Sequence, residues 1–224
     1  MVKAIGQLLP EAMVIAFNPV AICAVLLLLL NQSRRYKALA YLFGWILGLV
    51  LLTCGIYLLV QGNVQTQLQS QRNSSSLLIW AGILFLALAI YEFFQMRRKK
   101  PEEPPRLKWL DKLDVFNPYQ VFGMGAAISG LSLKNAGIIF SVLIAMRSFK
   151  MQGDPARAIL IFFTLLGSIT IIVPVVYGYI KGPQSEDQMN KWLQWLLANS
   201  ALVLAIMFLF LAAKMIGAGL AGPV

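Results

Sequence analysis

Apolar runs long enough to cross a bilayer dominate the chain, and they restrict its possible folds more than any other feature. Runs of about 20 apolar residues match a hydrocarbon core about 30 Å thick. Six are present: Leu8 to Leu30, Ala38 to Val60, Leu77 to Phe94, Val121 to Met146, Ala156 to Ile180 and Trp192 to Ala213. Inside lipid every backbone amide and carbonyl needs a partner from the chain itself, so the expectation is an all-α integral membrane protein with six transmembrane helices. Composition agrees, because 59% of the 224 residues are apolar and only 12% are charged. The first run contains Pro10 and Glu11, has Lys3 ahead of it and shows no small-residue cleavage site after it. It reads as a retained span and not as a signal peptide.

A net charge of +10 would suggest a nucleic-acid partner for a soluble chain, but here the basic residues fall mainly in the connections, where they report orientation. Twelve of the 19 lie in the connections one-two ("NQSRRYK"), three-four ("RRKKPEEPPRLKWLDK") and five-six (Lys181 and Lys191). That side is expected to be cytoplasmic, with both termini on the other. No nucleic-acid partner is expected.

The longest connection, residues 96–120, separates two sets of three spans, residues 1–95 and 121–224. An odd number of spans per set makes the second enter the membrane upside down, so the expected architecture is two inverted three-helix repeats. The connection itself carries the basic cluster Arg97 to Lys100, a stiff "PEEPP" spacer, and "LKWLDKLDVF". In the last, Trp109, Leu110, Leu113 and Phe116 oppose Lys108, Asp111, Lys112 and Asp114, the pattern of a short helix lying in the membrane interface.

Two spans are interrupted near their middle. Asparagine is a strong N-cap and proline suits the first helical position, so Asn18-Pro19 predicts a half-helix running to Leu30. In the fourth span "SGLSLKNAGIIF" places Lys134 beside Asn135, and Ser132 or Asn135 is positioned to cap a second half-helix ending near Met146. Laying one repeat on the other brings Asn18 onto Ser132 and Gly48 near Gly167. Helices one and four are therefore expected to be broken. An ammonium at mid-membrane depth costs roughly 2.5–3.5 kcal/mol on insertion scales, so Lys134 is either compensated or functional. Two half-helix starts and a lysine would suit an anionic group. On that reading the substrate-binding residues are Asn18, Pro19, Ser129, Ser132, Lys134, Asn135, Thr164 and Ser168, with Glu11 and Lys134 as the pair for proton coupling or an ion pair. Glu92 is expected to snorkel toward Arg97 or Arg98.

Small residues spaced by four mark close helix packing or dimerisation: Gly44 with Gly48, Gly123 with Ala127, and Ala126 with Gly130. Pro174 could supply a hinge in the fifth span, although a tolerated kink is the commoner outcome. Cys23 and Cys54 both lie inside spans of the first repeat and read as small packing residues. With no histidine in the chain and no metal-ligand spacing, no metal and no cofactor are expected, and nothing points to an enzyme.

Three segments, "AFNPVAICAVLLLLL", "SRRYKALAYLFGWILGL" and "LSLKNAGIIFSVLIAM", resemble the LysE superfamily of small exporters. Within it the chain is most similar to the Sap or GAP family, the lipid-addressing proteins named for sulfolipid and glycopeptidolipid export. Lys134-Asn135 matches the second half of that family's Asn-Pro-Lys-Asn motif, while Ser132-Leu133 stands where the asparagine and proline would be. The resemblance implies six spans, inverted repeats, a homodimer, and export or translocation of amphipathic lipids. The leading expectation is thus a bacterial inner (plasma) membrane exporter or flippase for a lipid with an anionic head. Export of amino acids, small metabolites or cations is the alternative, and a non-transporting accessory protein is a further one. A thiol oxidoreductase of the DsbD or CcdA type would need one reactive cysteine per repeat, and Gly137 stands at the repeat mate of Cys23.

Overall fold

A computed structural model describes residues 2–30, 35–62, 74–98, 115–148 and 153–221. Most of the interfacial helix expected at residues 107–116 lies outside them. The described chain is helical, with no strand among the described residues. In order it forms α1 (Val2–Ala16), α2 (Pro19–Leu30), α3 (Tyr36–Gly62), α4 (Ser74–Arg98), α5 (Pro118–Gly130), α6 (Leu133–Ser148), α7 (Asp154–Gly167) and α8 (Ile169–Lys181). A 3-10 turn (Gly182–Ser185) then leads to α9 (Glu186–Ala198) and α10 (Ser200–Ala221).

Two of these helices are long and apolar enough to cross a membrane alone, over Tyr36–Leu59 and Ser200–Gly217. Three more crossings arise if bent pairs count as single spans: Leu9–Ala16 with Pro19–Leu30 at 54°, Pro118–Gly130 with Leu133–Leu143 at 55°, and Ala156–Gly167 with Ile169–Ala198 at 63°. The expected third span, Leu77 to Phe94, falls within α4. Large apolar side chains such as Leu58, Leu59, Trp80, Ile161 and Ile180 face outward. Water would make such a surface costly, whereas lipid tails accept it.

Two details depart from the sequence reading. The fifth span is broken as well, at Ser168 and not at Pro174, which is buried inside α8. Ser168 turns its hydroxyl back to the Thr164 carbonyl at 2.8 Å, and its amide donates to the carbonyls of Leu165 and Leu166, so α7 tightens and stops. The other difference is at the sixth span, where Asn199 separates α9 from α10. Trp192 to Ala198 therefore belong to α9, and the long apolar crossing begins at Ser200.

The helices form two compact units, Met1–Leu59 with Arg106–Trp195, and Val60–Pro105 with Leu196–Val224. A repeat is a division of sequence and a unit is a division of packing, so neither tests the other. In the second unit α4 lies against α10. A Cβ on Gly82 would strike Ile216 and approach the Ala212 carbonyl, and the rings of Phe85 and Phe208 sit 5.9 Å apart.

In the first unit the backbones of α3 and α5 touch. A Cβ on Gly44 would meet the backbone of Phe122, one on Gly48 the backbone of Ala126 and the Ser129 hydroxyl, and one on Gly125 the backbone of Tyr41 and Trp45. The expected Gly44/Gly48 pair is thus an internal packing surface, and Gly130 also approaches Gly48. Gly123 and Ala127 instead face outward, with nothing within 4 Å of a Cβ at Gly123. Tyr41 and Trp45, both wholly buried, fill the same face of α3. Replacing Gly48 by leucine should force these backbones apart and cost about 1–3 kcal/mol or more, while Gly123→Leu should be near neutral. Thermal unfolding of both variants in the same detergent tests this, and equal midpoints would contradict the packing.

Candidate substrate site at the helix breaks

The first break follows the capping logic of its sequence. The α1 ladder ends with the Phe17 amide on the Met13 carbonyl at 2.9 Å. Asn18 then caps α2, its Oδ1 accepting from the Ala21 amide at 3.3 Å, and Pro19 occupies the first helical position. This ending leaves the last carbonyls of α1 short of helical donors. Two are answered from elsewhere in the chain. Lys134 Nζ donates to the Val14 carbonyl at 3.0 Å, and Thr170 Oγ1 donates to the Ala16 carbonyl at 2.6 Å.

The second break is capped by Ser132, whose hydroxyl accepts from the Asn135 amide at 3.3 Å. Asn135 does not cap. It is fully buried, and its Nδ2 reaches back across the break to the Ser129 carbonyl at 2.9 Å, tying α6 to the end of α5. Ser129, also fully buried, turns its hydroxyl to the Ala126 carbonyl at 3.2 Å and lies against Gly48. A serine cap without a following proline is therefore enough to restart the helix, because Asn135 supplies a second tether.

At the third break Ser168 is fully buried, and Thr164 returns its hydroxyl to the Leu160 carbonyl at 2.9 Å. Both residues satisfy their own helix. Thr170, two residues later, is the one that reaches α1. Gly167 sits beside Ile15 and the Ala12 carbonyl, which brings α7 and α1 close.

The breaks of α1/α2, α5/α6 and α7/α8 thus meet within one compact unit, around the carboxyl end of α1. Of the residues expected from sequence, Asn18, Pro19 and Lys134 are gathered there, with Glu11 one turn back along α1. Ser129, Ser132 and Asn135 form a linked group at the second break. Lys134 is not aimed at a pair of helix starts. Its ammonium rests on the negative end of the α1 dipole, where a cation is favoured. Glu11 is nearly fully buried and accepts from the Ser141 hydroxyl at 3.3 Å, two turns along α6 from Lys134.

Sequence reasoning missed three side chains. Thr170 carries no local signal, because its acceptor belongs to another span. Asn117 makes a full capping box with Gln120 before Pro118, repeating the Phe-Asn-Pro triplet of residues 17–19. Arg35, counted above only for its charge, clasps the α8 corner, donating to the carbonyls of Gly178 at 3.0 Å and Gly182 at 2.8 Å and to Ser185 Oγ at 3.4 Å. Among the described residues no group of three or more histidines, cysteines or carboxylates could hold a metal ion.

Thr170→Val keeps the shape of the side chain and removes its hydroxyl, breaking the link from α8 to the Ala16 carbonyl, which keeps the Asn18 amide at 2.9 Å. It should cost about 1 kcal/mol, the net worth of a hydrogen bond between elements, whereas Thr164→Val should cost less than half as much, since its hydroxyl only doubles a bond within its own helix. Unfolding of the two variants in one detergent distinguishes them; equal losses would mean that the link between breaks has no special weight.

No curated protein and no solved structure matches the chain. A family model described as Sap, sulfolipid-1-addressing protein, matches residues 8–221, nearly the whole length. The broken spans, the outward apolar surface and this match over both halves lead to one conclusion, that the chain is a membrane protein belonging to the Sap, sulfolipid-1-addressing protein family.

Proposed function

We propose that the protein translocates an amphipathic lipid with an anionic head, as a flippase-type exporter, and that the head is received at Lys134 among the three helix breaks. The observation that carries this reading is the meeting of those breaks at the partly buried ammonium of Lys134. Broken helices inside a membrane are tolerated where their freed backbone groups line a cavity or find protein partners, and they mark substrate sites in transporters built from repeats. The bond from Lys134 to the Val14 carbonyl holds the cation in position and is exchangeable, since an anionic oxygen is a stronger acceptor than a neutral carbonyl. Handing the ammonium from carbonyl to anion lets the head enter without leaving a bare charge in lipid. A sulfate ester is permanently ionised, which fits the sulfolipid in the family's description.

The same reading includes two inverted repeats. Each half opens with a broken span, α1/α2 and α5/α6, and each contributes one helix of the α4/α10 pair. The halves are not identical, because α3 is continuous where α7/α8 is broken. Orientation follows the charge asymmetry, with both termini outside the cytoplasm. A single cysteine at Ser75 should be labelled by an impermeant reagent in intact cells and one at Glu103 should be spared; the reverse pattern would overturn that orientation.

Reconstituted protein in phosphatidylcholine liposomes carrying a trace of fluorescent phosphatidylglycerol or sulfated glycolipid provides the test of transport. Quenching from outside should show both leaflets becoming accessible with wild-type protein. Lys134→Met should insert and fold, with a stability loss comparable to that of Thr170→Val because the Val14 carbonyl loses its side-chain donor, yet slow movement by about tenfold or more, the size expected for losing a charge-assisted bond of about 1.5–3 kcal/mol. Lys134→Arg should retain part of the rate, because the charge survives and the head geometry changes. A well-folded Lys134→Met protein working at the wild-type rate would contradict the reading, and wild-type protein that moves neither lipid would favour an accessory role.

A further inference from the structure

Arg35 stands at the end of two spans, after α2 stops at Leu30 and before the apolar crossing of α3 begins at Tyr36. Its side chain clasps the end of a third, α8, at the carbonyls of Gly178 and Gly182. Tyr36 and Tyr179, next in sequence to Arg35 and Gly178, are both exposed. Helix ends and exposed tyrosines together mark the depth of the lipid head groups. Along α8, Gly178 lies eight residues from Thr170, about 12 Å of axial rise. Thr170 is the residue bonded to the end of α1, so the clasp is a place distinct from the one where Lys134 is held.

Every acceptor of this guanidinium is neutral. Nη1 donates to the Gly178 carbonyl at 3.0 Å, and Nη2 to the Gly182 carbonyl at 2.8 Å and, over a long 3.4 Å, to Ser185 Oγ. Arg35 has no carboxylate partner among the described residues. Its Nε is buried and lacks an acceptor. A buried donor left without an acceptor is costly, and more so when it belongs to a cation. Glu186 and Asp187, exposed in the first turn of α9, are placed to offset that helix's own dipole. At the corner Gly182 adopts φ +56°, and no atom of the described residues lies within 4 Å of a Cβ built there, so the turn beside the clasp is open.

We infer that Arg35 is a binding site for the head of an anionic membrane lipid, with two oxygens of the lipid's phosphate or sulfate accepting from Nε and Nη2. A guanidinium edge presents two parallel N–H groups that match such an anion, and this arrangement gives the orphaned Nε its acceptor. An anionic oxygen is a stronger acceptor than a hydroxyl, so the long bond to Ser185 is the one given up. Ser185 keeps its own bond to the Gly182 carbonyl at 2.7 Å. Nη1 stays on the Gly178 carbonyl, and the corner remains closed while the lipid is held. The site lies at head-group depth and does not depend on translocation of lipid past Lys134.

The experiment follows the Arg35 Nε–H resonance of the full protein, carrying isotopically labelled arginine, in nanodiscs of phosphatidylcholine with phosphatidylglycerol at rising fractions. Loss of the signal in Arg35→Lys assigns it and separates it from Arg34; if that variant fails to fold, the signal is identified by its shift in Ser185→Ala without phosphatidylglycerol. In the wild type the proton should move to lower field as phosphatidylglycerol increases, and the movement should saturate. Ser185→Ala removes a competing acceptor, so half-saturation should come at a fraction lower by about twofold or more. Sodium phosphate, compared with sodium chloride at equal ionic strength, should leave the signal in place. Lys134→Met should respond as the wild type does. A resonance unmoved by phosphatidylglycerol, or half-saturation raised in Ser185→Ala, overturns the inference and makes the clasp structural alone. Movement with sodium phosphate in pure phosphatidylcholine assigns the site to a free anion and overturns the lipid as its occupant. Loss of the response in Lys134→Met traces it to the other site and overturns the assignment to Arg35, whereas an intact response in a protein that moves no lipid leaves this site standing without the translocation reading.

Discussion

A half-helix ending in the middle of a membrane leaves carbonyls that no water is there to meet, and the first compact unit is organised around answering them. Val14 and Ala16 close α1, and their acceptors are taken by Lys134 from the second broken span and Thr170 from the third. Both donors are side-chain groups placed close to an interruption of their own span. Lys134 sits in the first turn of α6, and Thr170 in the first turn of α8, where side chains project beside the breaks instead of along a continuous ladder. Two side-chain bonds thus link the three broken spans, and the lysine that looks misplaced in the sequence donates to a carbonyl at the end of α1.

The same contact makes the region suited to exchange. A carbonyl held by an ammonium is a neutral acceptor at the negative end of a short dipole, strong enough to fix the side chain and weak enough to yield to a full anion. The surroundings are less yielding. Gly44, Gly48, Gly125 and Gly130 bring α3 against α5 with backbones in contact, so the helix before the second break has a rigid wall behind it. Arg35 and Ser185 fasten the far end of α8, where Met189 and Leu29 close over Gly178. Rigid packing away from the breaks and polar links at them concentrate any rearrangement on the breaks.

Legibility in the sequence followed the range of the interactions. Asn18-Pro19 could be read because a cap and a helix-starting proline are local signals, and Gly44 with Gly48 because a four-residue spacing is a helix face in any context. Lys134 was conspicuous by its cost, but its partner was not, since a backbone carbonyl 120 positions away leaves no trace in composition. The Ser168 break was missed for a similar reason. A Gly-Ser pair is a weak stop signal, and the bonds of Ser168 to Thr164, Leu165 and Leu166 that close α7 show only in the folded chain. Pro174, the stronger local signal, sits within an intact helix. On α5 the local pattern offered several small-residue pairs, and only the packed structure selects Gly125, Ala126, Ser129 and Gly130 over Gly123 and Ala127.

On the function proposed, the end of α1 is both a structural cap and the place where an anionic head is received. An experimental structure in a lipid nanodisc, determined with a sulfated amphiphile whose tail carries bromine, would locate head and tail independently. Sulfate density is expected within hydrogen-bonding distance of Lys134 Nζ, beside the breaks at Asn18 and Ser132, with the ammonium drawn away from the Val14 carbonyl. Sulfate density elsewhere, with Lys134 still bonded to Val14, would contradict it and leave the lysine a structural cap alone.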